Sequence, residues 1–156
     1  MNATHTTHSG KDEDMSAKKD GCVKFAVVGL GNIGSRHLAV IDANPSACLV
    51  DICDIKNDLV EKYSGLYEVS GHADFTKMLR KTSADIINIC TPHGLHAPMA
   101  VEAAEAGKHM LVEKPMALTL EDTYRMDEAA RKNNPSSAIK MLASFDVIIG
   151  VAEMSA

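Results

Sequence analysis

Residues Gly29-Leu30-Gly31-Asn32-Ile33-Gly34 have the spacing G-x-G-x-x-G, a loop whose bare main-chain amides can receive a phosphate. Each glycine has its own task. Gly29 permits the sharp turn, Gly31 lets backbone approach a pyrophosphate, and Gly34 lets a helix lie close on the preceding strand. By itself the pattern also describes a merely tight turn. Here it directly follows a strand-like run, VKFAVV, and opens a helical one, SRHLAVIDAN, the context that a dinucleotide loop requires. Asp54 ends the next strand-like run twenty residues after Gly34, where an acidic group holds the ribose hydroxyls of NAD. Asp51 competes for that role, but Asp54 is nearer the carboxyl end of the strand, where ligands bind. A 2′-phosphate beside Asp54 would be repelled by about 4 kcal/mol at 4 Å and an effective dielectric of 20. NAD is therefore the expected cofactor, while Lys56, able to neutralise a phosphate, keeps NADP open.

Two further segments reach the same rim. CTPHGLH follows the buried run ADIINIC, so Thr91, Pro92, His93 and His96 fall on a turn at the carboxyl edge of a sheet, beside the ligand crevice. The spacing of Cys90, His93 and His96 also suits zinc, but no further Cys or His nearby completes four ligands. A capping or lining histidine is favoured over a metal, with His96 placed near the dinucleotide. Glu113-Lys114-Pro115 follows HMLV. A lysine leaving a buried strand there cannot point into the sheet, and Pro115 ends simple continuation of a central strand. A solvated loop lysine is the bland alternative. Beside a cationic oxidised nicotinamide the ammonium form is disfavoured, and such a lysine can exchange a proton with a substrate hydroxyl while hydride moves. Glu113 pulls in the opposite sense by favouring the ammonium.

The elements that must hold these groups alternate. Strand-like VKFAVV, ACLVDICD, ADIINIC and HMLVE are interleaved with helical SRHLAVIDAN, KNDLVEKYSG, FTKMLRK (with Asp74 as its N-cap), APMAVEAAEAGK ended by Gly107, and LEDTYRMDEAARKNN opened by Thr119. YEV is expected as a further small strand. Alternation at this spacing implies βαβ units, hence an α/β fold with a doubly wound parallel sheet in one domain. The boundaries read as a disordered tail over 1–21, a dinucleotide-binding domain over 22–134, and an atypical segment over 135–156 in which AIKML can add an edge strand. His5 and His8 belong to the tail, where solvation is favoured over a metal role.

Composition narrows the partners. The 156 residues carry 16 Lys+Arg against 21 Asp+Glu, a net charge of −5, with 46% hydrophobic and 24% charged residues. An acidic chain is repelled by nucleic acid. No apolar run approaches the roughly 20 residues that span a bilayer, and the four cysteines do not form the pattern of a secreted disulfide framework. A cytoplasmic setting is expected, without nucleic-acid or membrane partners.

Taken together, VVGLGNIGSRHLAVI, CTPHGLHAPMAVEAAEAGKHMLVEKPMAL and the acidic strand end resemble the glucose–fructose oxidoreductase, inositol dehydrogenase and rhizopine-catabolism (Gfo/Idh/MocA) family over about residues 23–134. The resemblance implies a Rossmann domain and an enzyme oxidising or reducing a hydroxyl of a sugar, cyclitol or nucleotide sugar. It looks most like members acting on nucleotide-activated amino-sugar uronates. It further implies that Gly29, Gly31, Asn32, Ile33, Gly34 and Asp54 hold the dinucleotide. Thr91, Pro92, His93, His96 and Glu113 would line its nicotinamide half, and Lys114 matches the lysine that orients substrate and assists proton transfer. His93 stands where many members carry Asn.

Members of the family also have a second α/β domain that supplies most substrate contacts and an Asp/His pair working with the lysine. The sequence here stops at Ala156 and its last histidine is His109. The expectation is a chain that binds NAD and turns over poorly alone, the alternatives being a binding module without turnover or a remnant that binds nothing. A homo-oligomer is admitted, and DVIIGVA, if exposed, is a dimerisation liability.

Overall fold

The computed structural model describes residues 21–133 and the strand at 139–142; the tail over 1–20 and the DVIIGVA run lie outside the described residues. Among the described residues six strands, β1 (Val23–Val28), β2 (Ala47–Cys53), β3 (Ser70–His72), β4 (Ile86–Ile89), β5 (His109–Glu113) and β6 (Ile139–Leu142), form one sheet in the order β3-β2-β1-β4-β5-β6. Every pairing is parallel. Helices α1 (Asn32–Ala43), α2 (Asn57–Tyr67), α3 (Phe75–Leu79), α4 (His96–Glu105) and α5 (Leu120–Asn133) connect them. The chain reverses its direction of winding between β1 and β4. At such a switch point the connections leave to opposite faces and open a crevice at the carboxyl ends of the strands.

Strand side chains divide by parity, because successive residues face opposite sides of a sheet. Ala26 and Val28 of β1, Ile87 and Ile89 of β4, and Met110 and Val112 of β5 join one core with Ala97, Ala100, Ala103, Ala104, Met126 and Ala130 of α4 and α5. Phe25, Val27, Ile86 and Leu111 join the other with Leu38 and Ile41 of α1. The alanines of α4 let it lie close on the sheet, which keeps the turn before it near the ends of β4 and β5. AIKML does add the edge strand, β6, parallel to β5.

Three local expectations are corrected. The YEV strand is displaced to Ser70–His72, because Glu68 takes φ 53° at the carboxyl end of α2 and the chain cannot extend until after it. Helix α1 begins at Asn32 rather than Ser35, so the last glycine of the loop is already helical; glycine's poor helix propensity hides this in the sequence. The cysteines, expected to sit in a reducing setting, include one bridged pair. Cys22 and Cys48 form a disulfide at the amino-terminal ends of β1 and β2, where the register sets Lys24 beside Cys48 and Val23 beside Ala47. Cys53 and Cys90 are free thiols. Among the described residues no helix is long and apolar enough to cross a membrane.

Candidate functional site

Strand β1 ends at Val28 and the chain turns at Gly29, with φ 86° and its N–H donating to the Cys53 carbonyl at 2.8 Å. A Cβ at Gly29 would stand 2.7 Å from the Cys90 carbonyl oxygen, and one at Gly34 only 1.8 Å from the Gly29 carbonyl oxygen. These two glycines are required by backbone contact. Gly31 differs, because a Cβ there would meet nothing within 4 Å. It opens onto a cavity of about 490 Å³ that Gly29, Asn32 and Ile33 also line. Among the described residues no side chain caps α1, so the N–H groups of its first turn and the positive end of its dipole are left for an anion.

The opposite wall comes from the end of β2. Asp54 lines the cavity; its Oδ2 accepts the Leu30 N–H at 2.7 Å and its Oδ1 accepts the Lys56 N–H at 2.9 Å. These bonds tie the carboxylate to the glycine loop, and its remaining lone pairs are available for hydroxyl donors. Asp51 is committed elsewhere. It is buried, with His72 Nε2 at 2.7 Å from Oδ1 and the Thr82 hydroxyl donating to Oδ2 at 2.6 Å. Leu59, Phe75 and Met99 supply apolar wall, and Thr91 and Pro92 close the side after β4.

His93 is exposed on a short 3-10 turn and meets His96 edge-on, ring centroids 5.6 Å apart. His96 does not line the cavity. It is fully buried behind it, with Nδ1 2.8 Å from the Pro115 carbonyl oxygen and Nε2 2.8 Å from the Thr91 carbonyl oxygen. The ring bridges the turn after β4 to the segment after β5. Glu113 and Lys114 stand at the carboxyl end of β5, with Glu113 half-buried, Lys114 exposed and the Lys114–Pro115 peptide cis. Among the described residues no cluster of three or more His, Cys, Asp or Glu side chains could hold a metal ion.

Sequence reasoning missed two residues. His37 of α1 and Asn88 of β4 are 1% and 0% exposed; Asn88 Nδ2 lies 2.8 Å from His37 Nδ1, and His37 Nε2 lies 2.8 Å from Glu113 Oε1. Burial holds the His37 imidazole below its ordinary value, the Glu113 carboxylate opposing this in part. The signal available was a polar residue in the otherwise apolar run IINI, and a histidine on the apolar stripe of α1. Burial, with the Asp54 charge second, pushes the Cys53 thiol up to about 12. Burial followed by the Glu113 charge pushes Cys90 further still.

Glycines that admit no Cβ, an uncapped helix start and an acidic residue at the end of β2 make a cradle that fits a dinucleotide. Residues 23–139 match the model of an oxidoreductase family with an NAD-binding Rossmann fold. The chain belongs to the Gfo/Idh/MocA family. Within it, the chain is 30% identical to the myo-inositol 2-dehydrogenase of Thermotoga maritima, over 70% of this chain and 33% of that protein. It is 31% identical to the uncharacterised oxidoreductase YrbE of Bacillus subtilis, over 77% and 36%. The WlbA dehydrogenase of Chromobacterium violaceum, solved in complex with NADH and UDP-GlcNAcA, superposes with a TM-score of 0.75 at 36% identity, covering 80% of this chain and 36% of that one. The chain thus spans about a third of the length of these Gfo/Idh/MocA relatives. The part spanned is their NAD-binding domain.

Proposed function

We propose that this chain is the dinucleotide half of an NAD-dependent dehydrogenase that moves a hydride between nicotinamide and a hydroxyl-bearing carbon of a sugar-like molecule. The observation that carries the reading is the pairing of Asp54 with the glycine loop across the cavity. One carboxylate braces the loop that would face the diphosphate and presents lone pairs for ribose hydroxyls. Asn32 and Ile33 would stand over the dinucleotide at the start of α1, and Thr91 and Pro92 would flank its nicotinamide half. The cofactor, when bound, supplies the hydride-accepting ring. Lys114, at the end of β5, would hold or take the hydroxyl proton at its Nζ. The likeness to WlbA, crystallised with UDP-GlcNAcA, favours a nucleotide-activated sugar acid over a free sugar. That preference is part of the proposal.

A second reading is a module that binds NAD without turnover. It draws on Lys114, whose ammonium makes no ion pair among the described residues. General acid–base help is worth about 10²–10⁴-fold in rate, so a lysine without a proton-relay partner would bind cofactor and react slowly. A titration with NADH and NADPH, followed by fluorescence energy transfer and anisotropy, tests the site. Saturable NADH binding, tighter than NADPH, is expected. Failure of NADH to bind removes both readings, and tighter NADPH binding removes the role given to Asp54. Turnover assayed with UDP-sugar uronates and with inositols then separates dehydrogenase from module.

A further inference from the structure

Lys114 is held from both sides by buried histidines that do not line the cavity. Its own N–H donates to Glu113 Oε2 at 3.1 Å, and the other oxygen of that carboxylate meets His37 Nε2 at 2.8 Å. The carbonyl of the next residue, Pro115, lies 2.8 Å from His96 Nδ1. Strand parity explains why the first chain of contacts exists. Asn88 and Glu113 alternate with Ile87, Ile89 and Val112, which face α4 and α5, so both are turned toward α1. His37 meets them there, one turn beyond Gly34 along the stripe that continues to Leu38 and Ile41.

The hydrogens in this cluster have one consistent arrangement. The Asn88 amide nitrogen can only donate, so His37 Nδ1 must accept from it. The ring proton is then on Nε2 and is donated to Glu113 Oε1, which leaves Oε2 for the Lys114 N–H. Cys90 Sγ, 3.5 Å from Asn88 Oδ1, closes the far end as a donor. Each of these contacts is then made in the correct donor–acceptor sense. An apolar residue at position 37 would pack against its neighbours without the cost of burying an imidazole. A structural polar cluster would account for the pairing alone, but not for its termination on the main-chain N–H of the one residue assigned to proton transfer.

We propose that His37 is a positioning residue which, acting through Glu113, sets where Lys114 stands just past the carboxyl end of β5, with His96 holding the following carbonyl. The importance of that placement rests on the hydride-transfer reading above, but the placement itself can be measured without it. In the full chain, the ¹⁵N shifts of the His37 ring report its tautomer, and amide hydrogen exchange reports the Lys114 N–H. The wild type is expected to show His37 protonated at Nε2 only, at about pH 7.5. In His37→Leu the Lys114 amide should exchange about tenfold faster or more, while Val27 and Ile52 in the sheet centre keep their protection. His37→Gln retains a donor for Glu113 and should restore Lys114 protection to within about threefold.

NADH affinity, measured on the same samples, should change by less than about threefold, since His37 does not line the cavity. Wild-type failure to bind NADH would sink the functional reading and leave the placement result standing. The proposal itself is overturned by a wild-type ring protonated at Nδ1. It is equally overturned if Lys114 exchange is unchanged in His37→Leu, or if the sheet amides accelerate along with it. Should His37→Leu not fold, the wild-type tautomer and His37→Gln decide: Lys114 exchange at least tenfold faster in His37→Gln, with the sheet intact, rejects support through Glu113.

Discussion

The carboxylate of Asp54 accepts the main-chain N–H of Leu30 at 2.7 Å, from across the mouth of the first crossover. The group proposed to hold the ribose is thus also a brace for the glycine loop. Its removal should act twice, on recognition and on loop order. Hydrogen bonds to a charged acceptor are worth about 1.5–3 kcal/mol. Asp54→Ala should therefore weaken NADH binding by roughly tenfold to a hundredfold. NADPH, relieved of repulsion, should lose much less, so the NADH/NADPH preference should fall toward one. Paired fluorescence titrations measure this, and an unchanged preference would show that another group reads the ribose.

Two neighbouring glycines should fail in different ways. At Gly34 a methyl group would sit 1.8 Å from the Gly29 carbonyl oxygen, inside any tolerable contact. Gly34→Ala should displace α1 from β1, lowering the melting temperature and abolishing NADH binding together. Gly31 has φ −68°, which any residue adopts, and open space around its Cβ direction. Gly31→Ala should melt within a few degrees of wild type while losing about tenfold or more in NADH affinity, because its methyl group would occupy the approach of the diphosphate. Equal thermal damage in the two variants would mean that the opening at Gly31 is not where a ligand lies.

The sheet was legible because its strands are apolar on both faces and its helices carry a stripe. Runs such as VKFAVV and HMLVE could be neither surface strands nor loops, and Asp74 and Thr119 announce the helices after them, Asp74 by accepting the Lys77 N–H and Thr119 by accepting the Asp122 N–H. Asp54 and the glycines were legible because their spacing is set by the length of one helix and one strand. His96 was harder. Its position in sequence places it at the rim, yet whether its ring faces the cavity or the protein depends on where residue 115 passes, some twenty residues later. The disulfide depended on the register between β1 and β2, which neither strand specifies alone, and the His37 cluster depended on which face of three separate elements comes together.

The thiols should divide sharply. Cys53 is buried and its thiol is pushed up to about 12, and Cys90 is pushed further, so neither presents thiolate near neutral pH. Cys22 and Cys48 are joined. A thiol-reactive dye should find almost no thiol in the native protein, two after unfolding without reductant, and four after unfolding with it. The bridge closes a separation of 26 residues, which on loop entropy alone corresponds to about 3.5 kcal/mol. Reduction should accordingly lower the urea midpoint without changing NADH affinity, since the bridge lies at the end of the sheet opposite the cavity. Four thiols in the unreduced unfolded chain would mean that the bridge does not form.

The stability of the fold should depend on pH through His37 in a particular direction. Burial holds its imidazole below the ordinary value of 6.5, with the Glu113 carboxylate from β5 opposing that shift and the uncharged Asn88 amide facing it from β4. Between the lowered value and 6.5 the unfolded chain therefore binds more protons than the folded one, so stability rises with pH there. The contribution is fully present above about pH 6.5 and is lost as the pH falls through the folded-state value. The other histidines and the carboxylates that do not touch residue 37 are common to the wild type and His37→Gln, so they cancel in the difference between the two. Urea unfolding of both proteins from about pH 8 to about pH 5 should show the wild-type advantage shrinking below about pH 6.5 and constant above it. An advantage that grows on acidification would mean that His37 is charged in the fold, and the hydrogen arrangement assigned to Asn88, His37 and Glu113 would have to be reversed.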